Sequence, residues 1–295
     1  MKKVWLVVVA IVVVAAGAMG AMKLFGGPSG GVAGVKSSHY QFMKAAQSDT
    51  KQVWYHLYLD TDNAPSKDTI VDEVWTSQNG NTKVFTTKKS LTLGQVAKMS
   101  ESSVLKKYNH REDRVTEKYF NAHKASSLTD EQKRIKDEQD SLKETEDYEE
   151  STASEKADAE AFYQERYKQI MEYSAAIKRT SFNTIDKQNK IADKKGLKAT
   201  LVSDGTGNKI VGETLEVPHV SFTFGEVDDI LEVHTGSDES NFNANVSNFP
   251  IYDKYFSGLF SYSDDGNTGL VVRHDKEIKD YVQWDEEGTK NVKVK

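Results

Sequence analysis

The chain has 295 residues, 37% of them hydrophobic and 28% charged, enough for one large or two small folded domains with a sizeable core. Its net charge of -6 and pI of 5.7 exclude the basic stripe of a nucleic-acid-binding protein. The lack of cysteine removes disulfides, thiolate metal sites, cysteine nucleophiles, iron–sulfur clusters and an acylated lipoprotein cysteine together.

Lys2 and Lys3 precede an uncharged apolar run from Val4 to Met22, nineteen residues long, which is closed by Lys23. That length just crosses roughly 30 Å of hydrocarbon as a helix. A run with no polar face does not match a helix on the surface of a globular domain. The two lysines and the amino terminus keep the start in the cytoplasm and send the rest outward. Residues 1–25 are therefore expected to form a transmembrane helix that acts as a signal anchor. The alternative is a cleaved signal peptide, with Val4–Val14 as its core and Ala16-Gly17-Ala18 or Ala18-Met19-Gly20 as the small-residue cleavage site. Residues 26–38, with Gly26-Gly27-Pro28-Ser29-Gly30-Gly31, read as a flexible tether. An exported chain without disulfides suits a Gram-positive cell envelope.

The folded part begins near His39. Trp54, Tyr55, Leu57, Tyr58 and Leu59 make an aromatic, strand-prone run. Thr69–Thr76 and Thr82–Thr87 then flank Gln78-Asn79-Gly80-Asn81, and Asn-Gly between two such runs predicts a β-hairpin with positive φ at both turn positions. From about Leu93 to Lys195 the composition turns to Glu, Lys, Gln and Ala, which predicts helices. Leu128-Thr129-Asp130-Glu131-Gln132 reads as a helix start, with Thr129 as cap and Gln132 three residues on. Leu128, Ile135 and Leu142 give the following helix one thin apolar stripe. Glu149–Ser154 reads as a joint. Beyond it Phe162, Ile170, Tyr173, Ile177 and Ile185 share a face, so Ser154–Ala192 is expected to be helical, about 55–60 Å long if unbroken.

Strands return after Leu197. Ala199–Ser203 and Lys209–Val217 flank a turn at Asp204-Gly205-Thr206-Gly207-Asn208. His219–Phe224, Ile230–His234, Gly258–Tyr262 and Gly269–His274 follow, with Asp264-Asp265-Gly266-Asn267 as another turn. Tyr281–Trp284 and Asn291–Val294 close the chain. The expected class is α+β: an N-terminal transmembrane or signal helix, an antiparallel β-rich extracytoplasmic domain built from 39–92 and 197–295, and a long helical insertion at 93–196, a hairpin or coiled-coil-like segment. The alternative is two β modules joined by a helical arm.

Charge concentrates in the helical part. Between Thr129 and Arg166 stand 14 acidic residues against six basic ones, a local net charge of -8 within a chain of -6. This is a solvated helix face or an arm that meets a basic partner, a wall polymer or loosely held cations.

Catalytic signatures are few. The seven histidines include no i,i+4 pair and no His-Glu-x-x-His, and no Gly-x-Ser-x-Gly elbow occurs. Ser48-Asp49-Thr50-Lys51 and Ser103-Val104-Leu105-Lys106 match Ser-x-x-Lys without its companion motifs. Asp60-Thr61-Asp62-Asn63 opens like a calcium loop but continues with Ala64 and Pro65. His219 and His234 fall on strands that can be neighbours. Trp54, Tyr55, Tyr58, Trp75, Phe222 and Phe224 could line a carbohydrate face but also fit a strand core. No catalytic residue, cofactor or metal ligand is assigned from these patterns.

The Met1-Lys2-Lys3 anchor, the Trp75–Phe85 hairpin, Leu91-Thr92-Leu93-Gly94, Lys98-Met99-Ser100 and the closing Gly288-Thr289-Lys290-Asn291-Val292-Lys293-Val294 carry a resemblance. In these the chain resembles uncharacterised membrane-anchored or exported envelope proteins of Gram-positive, lactic-acid-type bacteria. The chain departs from lipid-linked members by having no acceptor cysteine, and from wall-linked ones by ending Lys293-Val294-Lys295 without a sorting motif. The resemblance implies a compartment and no activity. Together the features point to a non-enzymatic binding module on a single-pass anchor, with an envelope protein or cell-wall polymer as partner and no nucleic acid. An extracytoplasmic hydrolase and a small-ligand or ion-binding module are the alternatives. Deleting residues 1–25 is expected to leave the protein in the cytoplasm, whereas the full chain sediments with membranes. The mass of the exported form then separates anchor from cleaved signal.

Overall fold

The computed structural model describes residues 39–59, 64–146, 152–225, 230–262, 267–278 and 280–295. The expected anchor, the tether, the Asp60–Asn63 segment and most of the Asp264–Asn267 turn lie outside them. Among the described residues no helix is long and apolar enough to cross a membrane. The protein is mixed α+β, with antiparallel sheets and six described helices. Its described residues divide into two compact units: those of 39–112, 196–217 and 239–295 in the first, those of 113–195 and 218–238 in the second.

The first unit opens with α1 (Phe42–Ala46) and then β1 (Gln52–Leu59), β2 (Ile70–Gln78), β3 (Asn81–Thr86) and β4 (Leu91–Thr92). α2 (Leu93–Ala97), α3 (Glu101–Lys107) and β5 (His110–Arg111) complete its first stretch. The chain re-enters with β6 (Lys198–Ser203) and with β7 (Ile210–Thr223), which crosses into the second unit. β8 (Glu232–Phe242), β9 (Ala244–Ile251), β10 (Lys254–Ser261), β11 (Asn267–His274) and β12 (Val292–Val294) follow. The main sheet runs β5-β3-β2-β1-β11-β10-β9, with β4 against β2, and a second sheet runs β12-β6-β7-β8. Early and late strands thus share one sheet, because β1 pairs antiparallel with β11, Tyr55 opposite Val271.

The Asn-Gly hairpin forms as expected: β2 pairs with β3, and Asn79 and Gly80 have φ of 53° and 79°. Successive side chains alternate between the sheet's faces, and both faces are covered. Trp54, Trp75, Leu270 and Val272 pack with Leu197 just before β6, with Leu215 and Phe242 of the second sheet and with Phe42 and Met43 of α1. Tyr55, Leu57, Val74 and Val271 pack on the opposite side with Leu93, Val96 and Val104 of α2 and α3. Arg273 fastens that layer by donating to the carbonyls of Val96 and Met99, each at 2.7 Å.

The beginning and end of the folded chain are bound together. Tyr40 and Val282 form a parallel bridge, and Gln41 donates to the Trp284 carbonyl. Asp285 accepts from the backbone N–H of Met43 at 2.8 Å, which satisfies the first turn of α1. The buried Glu213 on β7 accepts from the Asp285 N–H at 3.0 Å. Two carboxyls therefore share one buried place. Burial first, then the charge of Asp285, raises the Glu213 pKa well above the carboxylate range, so Glu213 carries the proton. Burial raises the Asp285 pKa as well, opposed by its hydrogen bonds to Glu213 and to the Met43 and Lys44 N–H groups, which favour the anion.

The second unit contains α4 (Glu117–Glu146), α5 (Ala153–Arg179), α6 (Asn183–Lys195) and the Pro218–Asp238 parts of β7 and β8. Three expectations are corrected here. The helix start at Thr129 is not used: α4 begins at Glu117, Thr116 caps it by accepting from Tyr119 N–H, and the Thr129 hydroxyl donates to Ala125 C=O in mid-helix. No Gly or Pro stands between Glu117 and Thr129 to break the helix. The long helix from Ser154 divides at Thr180, whose N–H and hydroxyl both turn back to the Ile177 carbonyl. Finally, β7 runs straight through Pro218 instead of ending at Val217. The Pro218 carbonyl accepts from the buried Arg114 guanidinium, which is also paired with Asp113 at 3.2 Å and Asp193 at 3.1 Å.

A carboxyl protonated in the folded state and ionised in the unfolded one loses stability as pH rises. Stability is therefore expected to decline from about pH 4.5 upward, by at most ~1.4 kcal/mol per pH unit for one group, until the folded pKa of Glu213 is reached. Glu213→Gln is expected to flatten that decline in chemical denaturation measured from pH 5 to 8. An unchanged slope in the variant would remove Glu213 as its source.

Candidate functional site

The acidic helical segment forms an antiparallel hairpin. Lys124 on α4 donates to the carbonyls of Lys178 and Thr180 at the end of α5, at 2.9 and 2.7 Å, and so caps that helix with a cation. Farther out Arg166 of α5 meets Glu138 of α4 at 2.7 Å. At about 1.5 Å per residue the 30 residues of α4 extend roughly 45 Å.

The hairpin is apolar at its base and mixed along its length. Val115, Phe120, Ile185, Ala192, Val220 and Phe222 are buried together at the base, with Phe182 and Phe224 packed against them. Phe120 and Phe222 lie 5.3 Å apart between ring centres. Beyond the base, positions turned inward on α4 recur at three and four residues: Lys124, Ser127, Glu131, Ile135, Glu138. On α5 they are Tyr163, Tyr167, Ile170, Ser174 and Ile177. Glu131 is only 6% exposed and is held by Arg134 at 2.8 Å. A cavity of about 340 Å³ opens there between Glu131, Arg134, Arg166, Ile170 and Tyr173. Phe162, placed by sequence on the inner face, is 58% exposed and lies under the Arg166 guanidinium instead. Tyr163 and Tyr167 take the inward positions.

The strand aromatics separate by position. Trp54, Tyr55, Trp75 and Phe222 are buried and serve as core, while Tyr58 is exposed. They do not assemble into one open carbohydrate face. His219 and His234 do not meet as a pair. His219 lies 3.0 Å from Asp238, and His234 lies 3.2 Å from the Thr223 hydroxyl and 3.7 Å from Glu232. Among the described residues no group of three His, Asp or Glu is arranged to hold a metal ion.

A polar cluster not anticipated from sequence sits on β1 and β2. The register shifts between His56 and Leu57, which pair with Glu73 and Val71, so Asp72 is the extra residue of a β-bulge. The bulge turns Asp72 toward His56, Nδ1 to Oδ1 2.8 Å. Trp75 Nε1–H donates to Glu73 at 2.7 Å, and its ring is parallel to the His56 imidazole. Burial pulls the His56 pKa down, but the Asp72 hydrogen bond and charge outweigh it and leave the value raised. Burial likewise raises Glu73. Strict strand alternation places Asp72 and His56 on opposite faces, which is why a sequence pattern misses them.

In comparisons with known proteins, no family model matches the chain, and neither a curated protein nor a solved structure matches it significantly.

Replacing Asp72 by Asn is expected to lower the His56 pKa, because burial is then opposed only by the charge of Glu73. A proton-NMR titration of the His56 ring reads this directly, and an unaltered midpoint would show that Asp72 does not set it.

Proposed function

We propose that the chain is a membrane-tethered, extracytoplasmic binding protein of the cell envelope, a non-enzymatic module resembling Gram-positive envelope proteins. In this reading residues 1–25 anchor it, residues 26–38 space it from the bilayer, and the α4–α5 hairpin is the inserted element that engages a cationic envelope protein or cell-wall polymer. The observation that carries the reading is the construction of the hairpin. Its base is closed by an aromatic cluster, yet about 30 Å of helix pair continues past it on a seam that includes Lys124, Glu131, Glu138 and Ser174. On this seam each ion pair has one exposed partner, Arg134 or Arg166, and pairs with an exposed member contribute of the order of 0–1 kcal/mol each. The acidic surplus of residues 129–166 is concentrated on this part. A long, net acidic element fits a contact surface, where charge steers an oppositely charged partner at long range.

Shortening the hairpin separates contact from folding. Residues 136–166 replaced by a short Gly-Ser turn leave the aromatic base, Glu131, Ile170 and Ile177 in place. The variant is expected to keep its thermal midpoint within a few degrees and to lose crosslinked partners recovered from intact cells. Recovery of the same partners at the same yield would sink the proposal.

A further inference from the structure

The first unit carries a second polar site, built from residues 51–85, ahead of the helical hairpin in the chain. The strand register lays it out residue by residue. Gln78 pairs with Asn81, Thr76 with Lys83 and Val74 with Phe85. On the other side of β2, Val53 lies opposite Thr76 and Tyr55 opposite Val74. Lys51, just before β1, is in phase with Val53 and Tyr55. Along most of its length this face is core, with Val53, Tyr55 and Val74 buried and Phe85 packed against them. Toward the Asn79-Gly80 turn the same face becomes polar, and a cavity of about 300 Å³ opens, lined by Lys51, Thr76, Gln78, Asn81, Lys83 and Phe85.

The lining contains two ammonium groups and no carboxylate. Among the described residues neither lysine is ion-paired. Burial, then the charge of Lys83, lowers the Lys51 pKa, and Glu101 opposes this weakly. Glu101 is itself pushed toward its neutral form by burial, against the pull of Arg273 and Lys51. Two like charges at the exposed rim of one concave site repel, and an anion between them relieves the repulsion. Lysine offers a compact point charge with free donor directions, which suits separate oxygens of a tetrahedral group better than the planar fork that carboxylate prefers. The cavity is larger than a bare phosphate, and its remaining wall is amide, hydroxyl and one aromatic ring, the surroundings that hydroxylated carbon chains accept.

We propose that this cavity binds the phosphate group of a phosphorylated polyol, with Lys51 and Lys83 on the phosphate oxygens and Thr76, Asn81 and Phe85 along the polyol. The site is independent of the hairpin and of whatever partner the hairpin engages.

Calorimetric titration of the full chain in neutral detergent tests it, with inorganic phosphate, glycerol 3-phosphate, a glycerophosphodiester and acetate as probes at one ionic strength. Saturable binding is expected for the three phosphate probes, tightest for those with glycerol, and none for acetate. A preference for the monoester marks a free small molecule as the source, and a preference for the diester marks a polymer repeat. Lys51→Gln and Lys83→Gln are each expected to weaken binding about tenfold, the loss of one charge-assisted hydrogen bond. Their thermal midpoints report folding and are expected to stay level or rise, since each change removes a like charge. The hairpin-shortened variant is expected to bind the probes normally. Absence of saturable phosphate binding, equal binding of acetate, or undiminished affinity in the folded double variant would overturn the proposal.

Discussion

Everything in the larger unit depends on β1 and β11 lying side by side. β1 ends at Leu59 and β11 begins at Asn267, so this one antiparallel pair closes a loop of about two hundred residues. Closing a loop that long costs only modestly more than closing a short one, because the entropy grows with the logarithm of length. What offsets it is burial on both sides of the pair. Trp54 and Leu270 go to one face, Tyr55 and Val271 to the other, all at 0% exposure. A sheet buried on both faces needs two covers, and they come from different parts of the chain: α2 and α3 on one side, α1 and the second sheet on the other. Once β1 and β11 are joined, residues 113–195 and 218–238 can only be excursions that leave and return.

The same constraint explains the fastening at Asp285. With the early and late strands adjacent, residues 39–46 and 280–285 are brought together at the rim of the sheet. Asp285 gives α1 the acceptor that its own Gln41 does not supply. The cost is a second carboxyl, Glu213, within hydrogen-bond reach in a place without solvent. One of the pair keeps a proton, and the fold acquires a stability that falls as the surroundings become less acid.

The class of fold was legible in the sequence because its signals are local. Asn79-Gly80 and Asp204–Asn208 specify turns by the positive φ and side-chain acceptors that only a few residues provide. What was illegible depends on distant partners. Thr129 has the residues of a cap, but a cap matters only where helix N–H groups lack acceptors, and α4 already supplies them from Ala125 onward. Pro218 reads as a strand end, yet its carbonyl is what Arg114 needs, and the strand continues. The candidate sites follow the same division. The acidic run is visible in composition, whereas the seam that turns Glu131 inward and Phe162 outward depends on how two helices are rotated against each other. His56 and Asp72 meet through a bulge, and Lys51 and Lys83 through the register of three strands. Neither has a spacing that a motif can express.

The two units also differ in what holds them, and this bears on how contact surfaces arise in the chain. In the sheet, polar groups near the core are tied to fixed partners: Arg273 to two carbonyls, Tyr108 to Val71 and Leu91, Trp54 to Tyr40 at 2.6 Å. Changing one leaves an unsatisfied neighbour, which costs about 1–3 kcal/mol. Along the outer hairpin the ion pairs have one exposed partner, Arg134 or Arg166, and removing that partner costs less. Sequence can therefore change along the hairpin without endangering the fold. Phe162 and Met171 are exposed there, so changes at these positions and at the surface charges leave the sheet's packing untouched. The Lys51–Lys83 cavity lies between these regimes. It borrows a rigid strand register for position, and it occupies the one end of that face where the core has stopped and charge is tolerated.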